Sequence, residues 1–352
     1  MRWLLCLLVA VQPWWLWPNL FLDTSTRLTL IGLLFAAALC AMARPISRGL
    51  PVAWVAWALA FVVSVGWAGF FVMSSGAYFE HFLETAALCD GLLVALASVL
   101  GLWAFSQART EDFRCMRWVG FLFLLTNLAV AGWQVVHHAP RVMGLFEADR
   151  LLAAYALAWL PVCWVWHPVI ALVPIAILAL THKPVVLIIG VAALLWRVKG
   201  WRWGATIATL AYGAWCVAGP QAFGLRWSQR GLTWLHAGQA VLDRPFGQGF
   251  SPMVLSKIET QYGYLLPSLH SDWLMLAVGS GIVVTGWALW LWGRMCWQQP
   301  VTQTAAALQH GLWALGCVSF AQSTVSHAAV SGLALVFLAW WLVEQRQEIS
   351  HG

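Results

Sequence analysis

The residues best able to do chemistry gather in one stretch, 220–269, and the position after it. Arg226, Arg230, Arg244 and Lys257 supply cations there, and His270 follows directly. Guanidinium groups match the geometry and charge of phosphate, whether on a substrate or a lipid headgroup, and pair equally with carboxylates. Asp243 and Glu259 are the carboxylates at hand. An imidazole at a helix N-terminus is disfavoured as a cation by the helix dipole, and a neutral imidazole can orient or deprotonate a hydroxyl.

These groups need elements to hold them. Residues Ser228–Asp243 read as a helix lying near a membrane surface, with Arg230, Trp234, Ala237 and Val241 on one face at i, i+4, i+7 and i+11. Arg244-Pro245 stops it, and Pro245-Phe246-Gly247-Gln248-Gly249 forms a tight glycine-rich turn. A new helix opens at His270-Ser271-Asp272-Trp273-Leu274, with Asp272 expected to cap its start rather than act as a base.

The rest of the chain states its class through composition. Of 352 residues, 62% are hydrophobic and 9% charged, against about 25% charged in soluble domains. Apolar runs fall near 3–22, 27–43, 50–73, 82–105, 116–137, 150–166, 168–181, 184–198, 203–219, 271–293, 303–321 and 326–343. The expected fold is therefore all-α, a polytopic transmembrane bundle of about twelve spans with one long periplasmic loop. Its organisation divides into helices one to nine over 1–219, the loop over 220–270, and helices ten to twelve over 271–352. Met1–Trp17 reads as a retained first helix rather than a cleaved signal, since it lacks a small-residue cleavage site.

Charge placement sets the orientation. With the N-terminus inside, the inner segments collect Arg2, Arg44, Arg48, Arg109, Arg114, Arg117, Arg197, Lys199, Arg202, Arg294 and Arg346. Both termini are then cytoplasmic and the long loop lies on the outer, periplasmic side. The net charge of +6 is accordingly a topology signal, and no basic groove with interleaved aromatics points to nucleic acid.

The other candidates read as structural. The eight cysteines are scattered singly in apolar runs and read as small core residues. Many of the 27 tryptophans, including Trp14, Trp15, Trp17, Trp201, Trp203, Trp340 and Trp341, read as interfacial anchors. Asp90 is the deep carboxylate of the fourth run and reads as a structural hydrogen-bonding group, with Glu84 nearer the outer interface. His137, His138, His182 and His327 lie near outer helix ends, where a metal would need several to converge. No metal and no cofactor is expected.

The ordered set Arg230-x3-Trp234, then Pro245-Phe246-Gly247-Gln248-Gly249, then His270-Ser271-x-Trp273-Leu274 and Gly279 resembles the signature of the O-antigen ligase/polymerase superfamily. That superfamily includes lipid A-core O-antigen ligases, Wzy-type polymerases and bacterial O-oligosaccharyltransferases. The resemblance implies metal-independent transfer of a glycan from an undecaprenyl-pyrophosphate donor to an acceptor hydroxyl. The acceptor is lipid A-core, a second lipid-linked glycan or a protein, with ligation ranked first because no soluble C-terminal domain stands ready to recruit a protein. It implies Arg230 as the principal clamp on the departing pyrophosphate, with Arg226 and Arg244 behind it, and His270 as the group acting on the acceptor. Trp234, Gly247 and Gly249 complete the implied donor site.

Two departures stand out. The family's T-x-S-R stretch is represented by Thr181-His182-Lys183-Pro184, so Lys183 replaces an arginine, and lysine lacks the bidentate fork. In the stretch Gly144–Ala154, Arg150 stands near the usual Asn, either as another cation for the pyrophosphate or as a cap on the sixth helix. The rival from a different class is a transporter or flippase of lipid-linked glycans, which usually carries charge at the bilayer midplane and internal repeats. A peptidoglycan polymerase with a periplasmic loop is a third option whose motifs are not recognisable.

Overall fold

The computed structural model describes residues 54–64, 99–139, 141–146, 148–181, 225–247, 271–321 and 328–346, with the isolated positions 96, 186, 189 and 207. Every regular element among them is helical. These are α1 (Trp54–Ser64), α2 (Thr110–Val136), α3 (Asp149–Trp166), α4 (Leu172–Leu180), α5 (Leu225–Asp243), α6 (Asp272–Trp297), α7 (Gln303–Ala321) and α8 (Ala328–Gln345), with a further helical stretch over 99–106. Two of them, α2 and α6, are long and apolar enough to cross a membrane. The expected spans at 3–22, 27–43, 184–198 and 203–219 lie outside the described residues, as do Glu84, Asp90, His182, Lys257, Glu259 and His327.

The centre of the bundle is α3. Every residue from Leu151 to Cys163 is buried, Pro161 included, so the helix is apolar on all sides because protein surrounds it. It packs on α7, α4, α8 and α2. Small residues let the backbones approach. A Cβ on Gly311 of α7 would stand 2.5 Å from the carbonyl oxygen of Ala158, and one on Gly120 of α2 would enter the indole of Trp159. Glycine at helix crossings is the usual device where dispersion between closely fitted helices must do most of the holding.

Near the far end of α2, two amides build the entry to α3. Asn127, fully buried, donates from Nδ2 to the Phe123 carbonyl (3.0 Å) and accepts at Oδ1 from the Leu145 N–H (2.9 Å). Gln134, two turns on, accepts the N–H groups of Met143 (2.8 Å) and Gly144 (2.9 Å) and donates to the Gly144 carbonyl (3.1 Å). Gly144 holds φ +59°, and a Cβ there would meet Asn127 Oδ1 at 2.5 Å. The turn's backbone groups are thus satisfied by α2 side chains, as buried backbone requires.

The ends of the bundle are unlike each other. At one end Arg346 donates to the Ser106 carbonyl (3.4 Å), Gln345 to the Gln299 carbonyl (3.4 Å), and Thr302 to the Glu344 carboxylate (2.8 Å). The segments carrying Arg109, Arg114, Arg117, Arg294 and Arg346, all assigned to inner segments by charge, therefore meet at one end. One detail differs: α2 starts at Thr110, so Arg114 and Arg117 lie in its first turns and not in the preceding link.

Trp340 and Trp341 correct an expectation. Both are buried, at 1% and 3% exposure, rather than interfacial. Trp340 stacks on Phe113 with ring centroids 5.4 Å apart and donates to Glu344 (3.1 Å). Their place at the end of an apolar run suggested an anchor, but both are enclosed by the bundle, Trp340 against α2. Cys163, Cys296 and Cys317 are buried and in no disulfide, as expected of core cysteines.

The crossing at Gly311 yields a test. Gly311→Val should lower apparent stability by about 2 kcal/mol or more, because the obstructing atom is backbone on a buried helix. Gly132→Ala, with nothing within 4 Å of its Cβ, should leave the melting temperature unchanged or raised. Thermal unfolding of the two variants in detergent, followed by tryptophan fluorescence, makes the comparison.

Candidate functional site

The expected helix after residue 220 is α5, three residues longer at its start than the pattern gave. Its buried face is Thr233, Ala237, Ala240 and Val241, and it packs on Leu274, Met275, Ala277 and Val278 of α6. Ala237 and Val241 share that face as expected, while Trp234 sits at its edge, half-buried. The expectation of a helix simply lying on a surface gives way to one joined to the first three turns of α6.

The glycine-rich turn makes the second attachment. Helix α5 stops at Asp243, whose carboxylate accepts from Gln239 (3.0 Å), and the Gly247 N–H closes a turn on the Arg244 carbonyl (3.0 Å). This turn enters a break in α6. Gly281 has φ +85° and ψ +169° inside an otherwise helical run. The Ile282 N–H, with no carbonyl four residues back to reach, bonds the Pro245 carbonyl at 2.9 Å.

Fit between the two backbones depends on glycine at both partners. Gly247 has φ +95°, and its Cβ would lie 2.5 Å from the Gly279 carbonyl oxygen and 2.8 Å from Gly281 N. A Cβ on Gly281 would in turn collide with the Pro245 carbonyl and the Phe246 backbone. Positive φ strains any L side chain at either position.

Hydroxyls close the remaining gaps. Ser64 Oγ, at the end of α1, lies 2.5 Å from the Ser280 carbonyl and 3.2 Å from the Phe246 carbonyl, with one proton to share. Thr285 donates to the Gly281 carbonyl (2.8 Å) and Ser280 to Leu276 (2.8 Å), while Trp57 donates to the Val284 carbonyl (3.1 Å). Each bond spares the molecule an unsatisfied polar group, worth about 1–3 kcal/mol where burial excludes water.

The start of α6 is fixed independently. Ser271, not Asp272, is the N-cap: its side chain accepts the Leu274 N–H (3.3 Å) and donates to the Ser319 carbonyl of α7 (3.3 Å). Both residue types cap well, and the extended backbone at Ser271 (φ −151°) decides between them. Asp272 is instead in the first turn, where a carboxylate complements the helix dipole. Trp273 donates to the Gly316 carbonyl (2.9 Å) and packs with Trp292 and Phe320, centroids 5.9 and 5.6 Å away.

The expected site residues distribute as follows. Arg226 and Arg230 lie in the first turns of α5, whose side chains there are outside the described residues, as are Lys183, Gly249 and His270. Arg244 is exposed immediately after α5. Gly247 is at the lock. Arg150 is the second residue of α3 and half-buried; the N-cap is Ala148 without a side-chain bond, so the capping role for Arg150 is not found. Its helix α3 belongs to the main apolar cluster, whereas α5 and the start of α6 form a separate one. His137 is turned onto its own helix, ring centroid 4.3 Å from Trp133 and Nδ1 2.9 Å from the Trp133 carbonyl.

Gly281 and Ser64 were not singled out by sequence, and Ser271 stood only as a member of the His270–Leu274 motif. The pattern Gly279-Ser280-Gly281 within an apolar run was the available signal for the break.

Substitution tests the lock directly. Gly281→Ala should lower apparent stability by about 2 kcal/mol or more from positive-φ strain and backbone collision. Gly286→Ala, five residues on with open space around its Cβ, should be neutral or stabilising in the same melt. Compared with known proteins, the chain matches no protein-family model and no curated protein, so its function is argued from this geometry.

Proposed function

We propose that the chain is a polytopic inner-membrane glycosyltransferase that moves a glycan from a polyprenyl-pyrophosphate donor to an acceptor hydroxyl at the periplasmic face, with lipid A-core as the acceptor ranked first. One observation carries the reading. The two separated pieces of the signature, the Pro245–Gly247 turn and the helix that begins directly after His270, are locked together by a backbone hydrogen bond and a mutual glycine fit. Such an arrangement holds the cation-bearing α5 and the start of α6 in one frame.

The chemistry follows from the residues assigned. Cleavage of the anomeric carbon–oxygen bond leaves its electron pair, and growing negative charge, on the pyrophosphate. Arg230, with Arg226 and Arg244, stabilises that charge as it develops. The acceptor oxygen bonds to the anomeric carbon and gives up its proton to His270 acting as the base. Placement in a bilayer is supported by α2 and α6 and by large apolar side chains left bare on them, among them Leu122 at 60%, Trp133 at 61% and Val283 at 63% exposure. The arginine-bearing end is then cytoplasmic under the positive-inside rule.

The break in α6 favours a second reading, since carriers of membrane substrates bind them at discontinuous helices. At this break the Ile282 N–H and the Ser280 and Gly281 carbonyls are bonded to the protein. That leaves those groups committed to structure, which supports the transferase over the carrier.

Two outcomes are expected. Arg230→Ala and His270→Ala should each reduce glycan transfer in a gene-deletion strain by at least about 100-fold, while membrane insertion is retained. Lipopolysaccharide profiling then separates the acceptors: loss of all O-chain marks a ligase, a single capped repeat a polymerase. Wild-type transfer by the His270 variant would remove that residue from the mechanism. Transfer by purified protein should also survive EDTA, and loss of activity restored by a divalent ion would overturn the metal-free route.

A further inference from the structure

The basic end of the bundle holds a second arrangement that the transfer chemistry does not use. Arg117 lies between two indoles, its guanidinium 5.7 Å from the Trp166 ring centre and 5.9 Å from that of Trp340. Ring faces attract a cation but accept none of its N–H groups along their own directions. Its Nε is buried without a hydrogen-bond partner. One turn earlier on the same side of α2 stands Arg114, exposed.

The carboxylates at this end are engaged or displaced. Glu344 accepts from Thr302 and Trp340, and Asp112 accepts from the Arg109 N–H (3.0 Å). Glu111 is exposed in the first turn of α2. Glu344 also attracts Arg117, which Arg114 repels. Five arginines (Arg109, Arg114, Arg117, Arg294 and Arg346) thus meet three carboxylates among the described residues at this end, and positive charge remains in excess.

From Arg114 an exposed apolar stripe runs along α2 at i+4, i+8 and i+11: Trp118 at 57%, Leu122 at 60% and Leu125 at 38% exposure. Trp166 stands edge-on to Trp118, centroids 4.3 Å apart. Trp133 is exposed at the opposite end, which puts about 28 Å of helix between it and Arg114, close to the roughly 30 Å hydrocarbon thickness of a bilayer. Arg114 then falls at headgroup depth.

We propose that Arg114 and Arg117 hold the phosphate of an anionic phospholipid of the inner leaflet, with its acyl chain lying along Trp118, Leu122 and Leu125. Charge complementarity selects the headgroup, and the apolar stripe continuing from it selects a lipid over a free anion. The site depends on the bilayer placement and not on the transfer reaction, so glycan transfer and lipid retention fail separately.

Native mass spectrometry of the full-length protein in neutral detergent, titrated with dioleoylphosphatidylglycerol, tests it. Wild-type protein should retain this lipid over dioleoylphosphatidylcholine, and Arg114→Gln should weaken retention about fivefold. Arg117→Lys, which keeps the charge and loses the planar fork, should also weaken it, while Arg294→Gln at the same end should not. Equal retention of the two lipids, equal loss in the Arg294 variant, or displacement of the lipid by millimolar inorganic phosphate would overturn the proposal. Arg114 is exposed, so its variant keeps the test meaningful even where an Arg117 variant unfolds.

Discussion

A helix that stops hydrogen-bonding in the middle of an apolar run must find partners for the groups it releases, and everything at the candidate site depends on how α6 meets that constraint. At Gly281 the backbone turns to φ +85°, and the Ile282 N–H is handed to the Pro245 carbonyl. In hydrocarbon no solvent could serve instead, so irregular backbone is tolerated only where protein supplies the bonds. The turn at Pro245–Gly247 is therefore a structural necessity for α6, and α6 equally the mould for the turn. Ser64 and Trp57 bring α1 to the same place, which makes three elements interdependent.

Rigidity beneath this lock comes from α3 and its neighbours. A helix buried on every side cannot rotate or slide without opening voids, and glycine at its crossings fixes the separations. Helix α7 packs on α3 along one side and carries the start of α6 on another, through Ser271–Ser319 and Trp273–Gly316. The frame of the candidate site is thus tied through α7 to the fully buried run of α3, and the proposed transfer needs a frame of that kind to hold reacting groups in place.

Sequence revealed these features unequally, for physical reasons. Helices at 150–166 and 303–321 were legible because an apolar run of bundle length has few alternatives, and the ends of α5 and its turn because proline and glycine punctuate the chain. Gathering of five arginines at one end was also legible, since charge is placed by the cost of burying it. The break at Gly281 was not: its residues are small and apolar, and only the arriving turn makes the interruption stable. Trp340 was misread for a related reason, because an indole near a helix end is an anchor or a core residue according to what covers it. Ser271 and Asp272 are both good caps by type, and backbone dihedrals decided between them.

The lock and the cap are two anchor points on one helix: Gly247 is seated against Gly279–Gly281, and Ser271 is held to Ser319. Both anchors are on α6, about 15 Å apart along its axis. Helix α5 is packed on the same turns of α6, so α5, its closing turn and the start of α6 share a single support. An enzyme stabilising charge on a leaving group gains most when its donors are fixed before the charge appears. For the proposed transfer, the attachment of α5 and its turn to one helix is a fixation of that kind, and it gives the glycine pair a role that alanine, which favours a continuous α6, would not fill.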